Sequence, residues 1–271
     1  MQFSVLIPVY IKENPKNLDL ALSSIFSQTV LPDECVIVED GPITNELKAI
    51  LDKYLTEYPE IIKLYSLNTN MGMGFAMNYG LHKCSHEWIA RADSDDINKN
   101  NRFEIQLNYL KKFPSIDVLG SFIEEFNETP GDLKQYRKVE LAHLDIIKQM
   151  KFRNPINHMT VIFRKSSAIA AGGYWDQRVM EDYNLWYNLY KNAAVFANID
   201  YPLVYARIGN NMVGRRHGFK YFSMEMSFFS KMYKDGFISP PMYFLTSILR
   251  FSLRVMPISY LKQFYKFFLR N

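Results

Sequence analysis

Three carboxylates within four residues, Asp93-Ser94-Asp95-Asp96, follow directly on the apolar run Trp88-Ile89-Ala90-Arg91-Ala92. That run reads as a β-strand, so the cluster sits at a strand exit. Carboxylates this close repel one another unless a cation lies between them, and hard divalent ions such as Mg2+ or Mn2+ favour such oxygen ligands. A diphosphate would complete the coordination of such an ion. The same residues also make an acidic turn leading into the helix that begins near Asn101, because Asp and Asn favour turns and N-caps. Spacing alone leaves both readings open.

The elements around the cluster are legible. Short β-rich runs alternate with helical patterns: Ser4 to Val9, then Leu18, Ala21, Leu22 and Ile25; Cys35 to Glu39, then Leu47, Ile50, Leu51 and Tyr54; Ile61 to Ser66, then a helix through Asn78; then Trp88 to Ala92. This rhythm predicts an α/β fold, a doubly wound, mostly parallel sheet with helices on both faces, in which ligands bind beyond the carboxyl ends of the strands. Three exits then carry chemistry: Pro8-Val9-Tyr10, Glu39-Asp40-Gly41 and Asp93 to Asp96. A ring at Tyr10 suits stacking on a nucleobase, and a carboxylate at Asp40 suits accepting a base N–H or a ribose hydroxyl. Tyr10 equally suits strand-end packing, and Asp40-Gly41-Pro42 a tight turn. Further on, an amphipathic helix spans Phe103, Leu107 and Leu110, Ile116 to Phe122 and Met159 to Phe163 read as strands, and Leu141 to Met150 and Glu181 to Lys191 read as helices. Ser239-Pro240-Pro241 and Pro257 punctuate two further helical segments.

The 271 residues, 48% hydrophobic and 22% charged, suffice for a large packed domain and lack a disordered composition. Two cysteines, Cys35 and Cys84, are too few for a disulfide framework or a thiolate metal site, which points to a reducing, cytoplasmic setting. The strand-like start, Phe3 to Ile7, argues against a signal peptide, and no apolar run reaches spanning length. The net charge of +4 hides an asymmetry: from Arg215 onward ten Lys or Arg face two acidic residues, a surplus of +8 that leaves −4 for the rest. Such a tail suits an anionic partner.

Taken in order, these segments resemble the family 2 glycosyltransferases of the GT-A fold, which transfer sugars from nucleotide diphosphate donors with inversion. The resemblance rests on Ser4 to Tyr10, Ser23-Ser24-Ile25-Phe26-Ser27-Gln28-Thr29, Val36 to Gly41, Asn70-Met71-Gly72 through Ala76-Met77-Asn78-Tyr79-Gly80, and Ile89 to Asp96. It covers roughly residues 1–215. It implies a GT-A domain over 1–215, with a nucleotide-binding part of about 1–122 and an acceptor-binding part of about 123–215, followed by a basic, aromatic, helical region over 216–271. Glu39 departs from the family, which usually has a second Asp beside the base-binding one.

By the same resemblance, Pro8, Val9, Tyr10 and Asp40 belong to the donor site, with Tyr10 and Asp40 the uracil-contacting pair. Asn70, Gly72 and Asn78 line the nucleotide, where glycine permits close backbone approach. Asp95 and Asp96 reach the ribose and the metal-bound diphosphate and are the expected ligands of Mn2+ or Mg2+, while Asp93 and Ser94 complete the motif and Arg91 pairs with an acidic neighbour or the donor. Arg207, Arg215 and Arg216 resemble a late basic loop closing over the diphosphate, a task suited to the planar guanidinium fork. His158 and Trp175 fall on the acceptor side; a buried structural histidine is an equal reading of His158. Glu181-Asp182 resembles the family's acidic pair, with Asp182 the base that takes the acceptor hydroxyl's proton. Taken without the family, the pair is an acidic first helical turn favoured by the macrodipole.

No Gln-x-x-Arg-Trp motif and no membrane spans accompany these features, unlike the processive synthases. The resemblance therefore implies transfer of one hexose or N-acetylhexosamine, from a donor expected to be UDP-linked, to a saccharide or lipid-linked acceptor in bacterial surface polysaccharide synthesis (O-antigen or capsule). In the tail, Arg250 and Arg254, and Lys262, Lys266 and Arg270, recur every four residues beside Phe251, Leu253, Phe264, Phe267 and Phe268. This predicts helices whose basic faces meet the inner face of the cytoplasmic membrane, or pack on the domain with those faces solvated. Nucleic acid is a poor partner, since no recognised binding module is present. A sugar nucleotidyltransferase would share the sheet and the carboxylates but needs a basic, Gly-rich loop after the first strand, where Tyr10-Ile11-Lys12-Glu13-Asn14 stands. A non-catalytic carbohydrate-binding protein would have no need of Asp95, Asp96 and Asp182 together.

Overall fold

Every residue of the first strand, β1 (Phe3–Val9), is buried, as a strand covered on both faces requires. The structure is a computed structural model that describes residues 1–175, 179–208 and 217–256. The other strands are β2 (Glu34–Glu39), β3 (Ile62–Ser66), β4 (Trp88–Arg91), β5 (Ile97–Asn98), β6 (Val118–Phe126), β7 (Gln135–Arg137), β8 (Ile162–Arg164) and β9 (Phe196–Arg207). They form one sheet in the order β3-β2-β1-β4-β8-β6-β9-β5, with β7 paired to β6. The first four described strands are parallel. Beyond them β8 runs antiparallel between β4 and β6, and β6 and β9 are parallel again. Among the described strands only β5, β7 and β8 oppose the common direction, so the sheet is mostly parallel, as expected.

Alternate residues of β1 point to opposite faces, and each face has its own core. Leu6, Val36, Val38 and Ile89 pack toward α3 (Met73–Lys83) and α7 (Glu181–Lys191). Val5, Ile7, Cys35, Ile37 and Ala90 pack toward α1 (Pro15–Phe26), α2 (Asn45–Glu57) and α4 (Arg102–Lys112). The strand period of two thus produces the three-layer architecture. Shorter helices α5 (His143–Met150) and α6 (Lys165–Ala170) follow, with a 3₁₀ turn at His158–Thr160. The long strand β9 contains Pro202, which the β6 ladder accommodates with a register shift between Ser121 and Ile123.

Two C-terminal helices, α8 (Phe219–Lys234) and α9 (Pro240–Val255), form a hairpin against α7. Tyr183 of α7 lies 4.7 Å, ring to ring, from Phe228, and Lys231 donates to Asn184 and Asn188 at 2.9 and 2.8 Å. The hairpin corrects one expectation. Arg250 and Arg254 do not present a basic outer face; both turn inward onto Glu225, which is fully buried in α8. Arg254 bonds it through Nε at 2.9 Å and Nη2 at 3.0 Å. A buried carboxylate needs paired cations, and that requirement outweighs the solvation that arginines gain at a surface. Lys262, Lys266 and Arg270 lie outside the described residues. Glu225→Ala is therefore expected to strand two inward cations and to cost about 3–5 kcal/mol in urea unfolding. No helix among the described residues is long and apolar enough to cross a membrane.

Candidate active site

The site begins where β1 and β4 part. Their ladder ends at Leu6 and Arg91, although β1 continues beside β2 as far as Val9. Pro8 faces the same side as Leu6, where no ladder bond is lost for want of its N–H. With β2 and β3 on one side of β1 and β4 on the other, this is the topological switch point of the sheet, where such folds open a crevice. Tyr10 stands half-exposed at one lip. At the other lip, β4 runs into Asp93 to Asp96, whose three carboxylates each bring an oxygen within 4.8 Å of the others.

The underside of the acidic loop is cationic. Arg91, 1% exposed, forms an ion pair with Asp93. Arg102, fully buried in the first turn of α4, donates through Nη2 to the carbonyls of Arg91 at 2.8 Å and Val161 at 3.3 Å, and through Nε to Gln106 at 3.0 Å. It thereby fixes the end of β4. Burial and the charge of Arg91 lower Arg102 to about 9, with Asp96 and Asp93 acting the other way, so it remains a cation at neutral pH. From the far side of the sheet, Arg207 at the end of β9 donates its backbone N–H to Asp96 Oδ1 at 2.7 Å and its Nε to the Asp95 carbonyl at 3.1 Å. Its guanidinium lies over the Phe126 ring, and its buried Nη2 has no hydrogen-bond partner among the described residues. From the β1 side, Glu13 accepts from Ser94 Oγ at 2.6 Å. Glu13 and Arg102 had not stood out in the sequence. The signal for Arg102 was a charge at the buried start of an amphipathic helix, beside Phe103.

Negative charge is nonetheless in excess. Asp95 is pushed up to about 7, by burial first and then by Asp93 and Glu13. Asp96 is pushed well above the usual carboxylate range by burial, then by Asp93 and Asp95. Carboxylates held together at this cost fit a hard divalent cation, which would relieve what two arginines beneath them do not.

The second strand exit does something the sequence had not shown. The Asp40 carboxylate accepts the N–H groups of Met71 at 2.7 Å and Gly72 at 3.0 Å, and Asn70 Nδ2 returns a bond to the Asp40 carbonyl at 3.1 Å. Asp40 thus anchors the loop that starts α3. A side chain at Gly41, with φ +84°, would run into the backbone of Thr69 and Asn70, so glycine is required for that approach. Glu39 is engaged by Ser66.

Helix α3 joins the two halves of the site. Its Gly74 leaves no room for a Cβ against the Trp175 carbonyl and lies beside Glu181. Its Asn78 Oδ1 accepts the Tyr174 N–H at 3.1 Å, and Met73 Sδ contacts Arg91 Nη2 at 3.7 Å. Asn78 therefore holds the Gly172-Gly173-Tyr174 turn. Met180, in the left-handed region at φ +63°, turns the chain into α7 so that Glu181 and Asp182 occupy its first turn, where the macrodipole favours negative charge. Asp182 accepts from Asn154 Nδ2 at 2.6 Å and from the Tyr183 N–H at 2.7 Å. Asn154 is a third residue, after Glu13 and Arg102, that sequence reading passed over.

His158 is buried, with Nε2 2.9 Å from the Tyr174 hydroxyl and its ring edge-on to Trp186. Burial and Arg91 push its pKa well below the ordinary value, so it is a neutral imidazole that steadies Tyr174. The half-buried Trp175 carries Lys231 over its ring at 5.3 Å. Arg215 and Arg216 lie outside the described residues. A separate groove of about 520 Å³, lined by Lys148, Lys151, Tyr187, Tyr190 and Phe237, lies at the opposite end of α7 and is no part of this constellation.

Comparison with known proteins agrees with this layout. A family model described as Glycosyl transferase family 2 matches residues 4–169. A UDP-Gal:alpha-D-GlcNAc-diphosphoundecaprenol beta-1,3-galactosyltransferase of Escherichia coli is 39% identical over 273 residues, covering 100% of this chain and 97% of its own. The amylovoran biosynthesis glycosyltransferase AmsE of Erwinia amylovora is 37% identical over 267 residues, covering 97% and 98%. A crystal structure of S. aureus TarS 1-349 in complex with UDP-GlcNAc matches with a TM-score of 0.65 at 18% identity, covering 98% of this chain and 73% of that one, a likeness of fold. A family match over more than half the chain, and end-to-end relatives of the same kind, make the protein a glycosyltransferase of family 2.

Proposed function

We propose that this glycosyltransferase moves one hexose or N-acetylhexosamine from a UDP-sugar to a saccharide or lipid-linked acceptor in bacterial surface polysaccharide synthesis, with inversion. The observation that carries the reading is the carboxylate triad at the β1/β4 switch point, seated on two buried guanidiniums and joined through α3 to Asp182. UDP-galactose is the first donor to test, because the 39% identical relative is named for it.

In this reading Tyr10 stacks on the uracil, and Asp40 keeps the Asn70–Gly72 loop in place beside it. Asp95 and Asp96, backed by Asp93, would hold Mn2+ or Mg2+, an ion that would supply neutralisation of the charge developing on the departing diphosphate. Ser94, through Glu13, ties this loop to the segment between β1 and α1. Arg207, with a guanidinium nitrogen that has no partner among the described residues, donates to a phosphate oxygen; the family resemblance assigns the same task to Arg215 and Arg216. Asp182 accepts the proton of the acceptor hydroxyl as that oxygen attacks the anomeric carbon, in a single displacement. Asn154 orients the carboxylate and Glu181 keeps the acceptor side acidic. Trp175 offers an aromatic wall for a sugar ring, and His158, behind Tyr174, shapes the pocket. These roles divide the chain into a nucleotide part over about 1–122 and an acceptor part over about 123–215, with the C-terminal region over 216–271 after them. A lipid-linked acceptor places the protein against the inner face of the cytoplasmic membrane.

The test is a donor panel with Mn2+ or Mg2+, measuring released nucleoside diphosphate with and without EDTA. UDP release that needs both metal and acceptor is the expected result; no turnover of any nucleotide sugar under any metal defeats the reading. The metal site has its own pH signature. Folding raises the Asp95 pKa from 3.8 to about 7, so between those values the folded state binds more protons than the unfolded chain. Without metal, this group therefore takes stability away as pH rises through that window. Metal displaces the protons, so its binding strengthens in the same direction. The melting-temperature gap between Mn2+ and EDTA samples is expected to be wider at about pH 8 than at about pH 5.5; an equal gap would place the metal elsewhere.

A further inference from the structure

Helix α9 is built inside out for a helix in water. Its buried residues are Thr246 and Arg254. Its outer face carries Phe244 at 69% exposure, Leu245 and Leu249 at 55%, and, with them, Ile248, Phe251 and Val255. No charged residue of α9 is exposed, because Arg250 and Arg254 are both turned onto Glu225. At 100° per residue the outward apolar side chains share one arc, and sixteen residues make it about 24 Å long. The patch continues across the hairpin through Phe251 onto Phe222, with ring centroids 5.3 Å apart, and onto Phe219, 68% exposed at the start of α8. Contiguous apolar surface on this scale marks an interaction site.

We propose that this face lies in the surface of an anionic lipid bilayer, with α9 parallel to the membrane plane. Charge chooses lipid over a second copy of the chain. Residues 257–271, which follow α9 directly, add Lys262, Lys266 and Arg270 and no acidic residue, and the whole stretch from Arg215 is strongly basic. An apolar face continued by bases matches acyl chains beneath anionic headgroups, whereas two such tails brought together would repel. The placement deepens the lipid-linked reading and rests on it for its purpose. It also links surface to catalysis: Arg250 Nη2 donates to the Phe152 carbonyl at 2.8 Å, two residues before the Asn154 that holds Asp182.

The test is co-sedimentation of the full chain with phosphatidylglycerol-containing vesicles and with phosphatidylcholine vesicles. The unmodified protein is expected to pellet with the anionic vesicles. The double variant Leu245→Glu/Leu249→Glu is expected to partition about tenfold less or lower, while Leu144→Glu, on the exposed side of α5, pellets like the unmodified chain. Because a double variant can fail to fold, Ser252→Cys on the same face supplies a second readout. Cys35 and Cys84 are buried, so an environment-sensitive fluorophore would label Cys at 252 and shift to the blue on vesicle addition. Equal pelleting of the double variant, or an unshifted fluorophore, overturns the proposal. So does an unmodified protein that stays in the supernatant as a dimer and that the double variant turns into a monomer, since the occupant is then a second copy. UDP release with a water-soluble acceptor should be the same for the double variant and the unmodified chain; its absence from both defeats the transferase reading and leaves the lipid surface standing.

Discussion

Asp182→Asn is expected to lower kcat about 10²- to 10⁴-fold and to leave the KM for the nucleotide sugar unchanged. The carboxylate sits in the first turn of α7, held by Asn154 and by the Tyr183 N–H. The amide keeps the shape and an acceptor oxygen, so the fold and the donor side should persist. What disappears is the capacity to take a proton. Because that proton moves only as the acceptor attacks, the loss falls on the chemical step and not on donor binding. Steady-state UDP release against donor concentration, at saturating acceptor, separates the two parameters. Activity within a few-fold of the unmodified enzyme would assign the base to another group, with Glu181→Gln the next variant to measure.

The Asp96→Asn variant should do two things that rarely accompany one another: abolish most activity and raise the melting temperature in EDTA. Asp96 is buried, its pKa is driven up by burial and by Asp93 and Asp95, and the Arg207 N–H bonds one of its oxygens. Asparagine can still accept that bond but brings no charge, which removes a like-charge conflict from the metal-free protein. The same change removes a ligand of the cation, and loss of the several kcal/mol that a metal contributes at a departing diphosphate corresponds to a rate deficit of about 10²- to 10⁴-fold. Thermal unfolding in EDTA and UDP release in Mn2+, made on one preparation, test both halves. A variant less stable in EDTA would mean that Asp96 is a structural carboxylate satisfied by its arginines. Full activity would remove it from the metal site.

The parallel half of the sheet was legible because its strands are covered on both faces and read as apolar runs: Ser4 to Val9 and Cys35 to Glu39 match β1 and β2 to within a residue. Helix α7 was placed at its observed ends. Strand β9 was missed, since Asp200-Tyr201-Pro202 breaks the apolar run and only a bulged ladder with β6 restores it. The strand read as Ile116 to Phe122 extends instead from Val118 to Phe126, and Arg207 is brought to the acidic loop through this β6/β9 pairing. The residues that hold others in place, Glu13, Arg102 and Asn154, carry no motif, because their partners lie far along the chain: 81 residues for Glu13 and Ser94, 59 for Arg102 and Val161, 28 for Asn154 and Asp182.

The chain's order of residues determined the layers, the strand exits and the types of group gathered there, because apolar period and turn chemistry act over a few neighbours. Which arginine serves a carboxylate and which meets solvent was decided only by the folded protein. Arg250 and Arg254 recur four apart beside aromatics, a pattern equally suited to a basic outer face or to an inner one, and the buried Glu225 settles the matter. Periodicity identifies a helical face. Burial of an opposite charge from a distant helix determines which way that face turns.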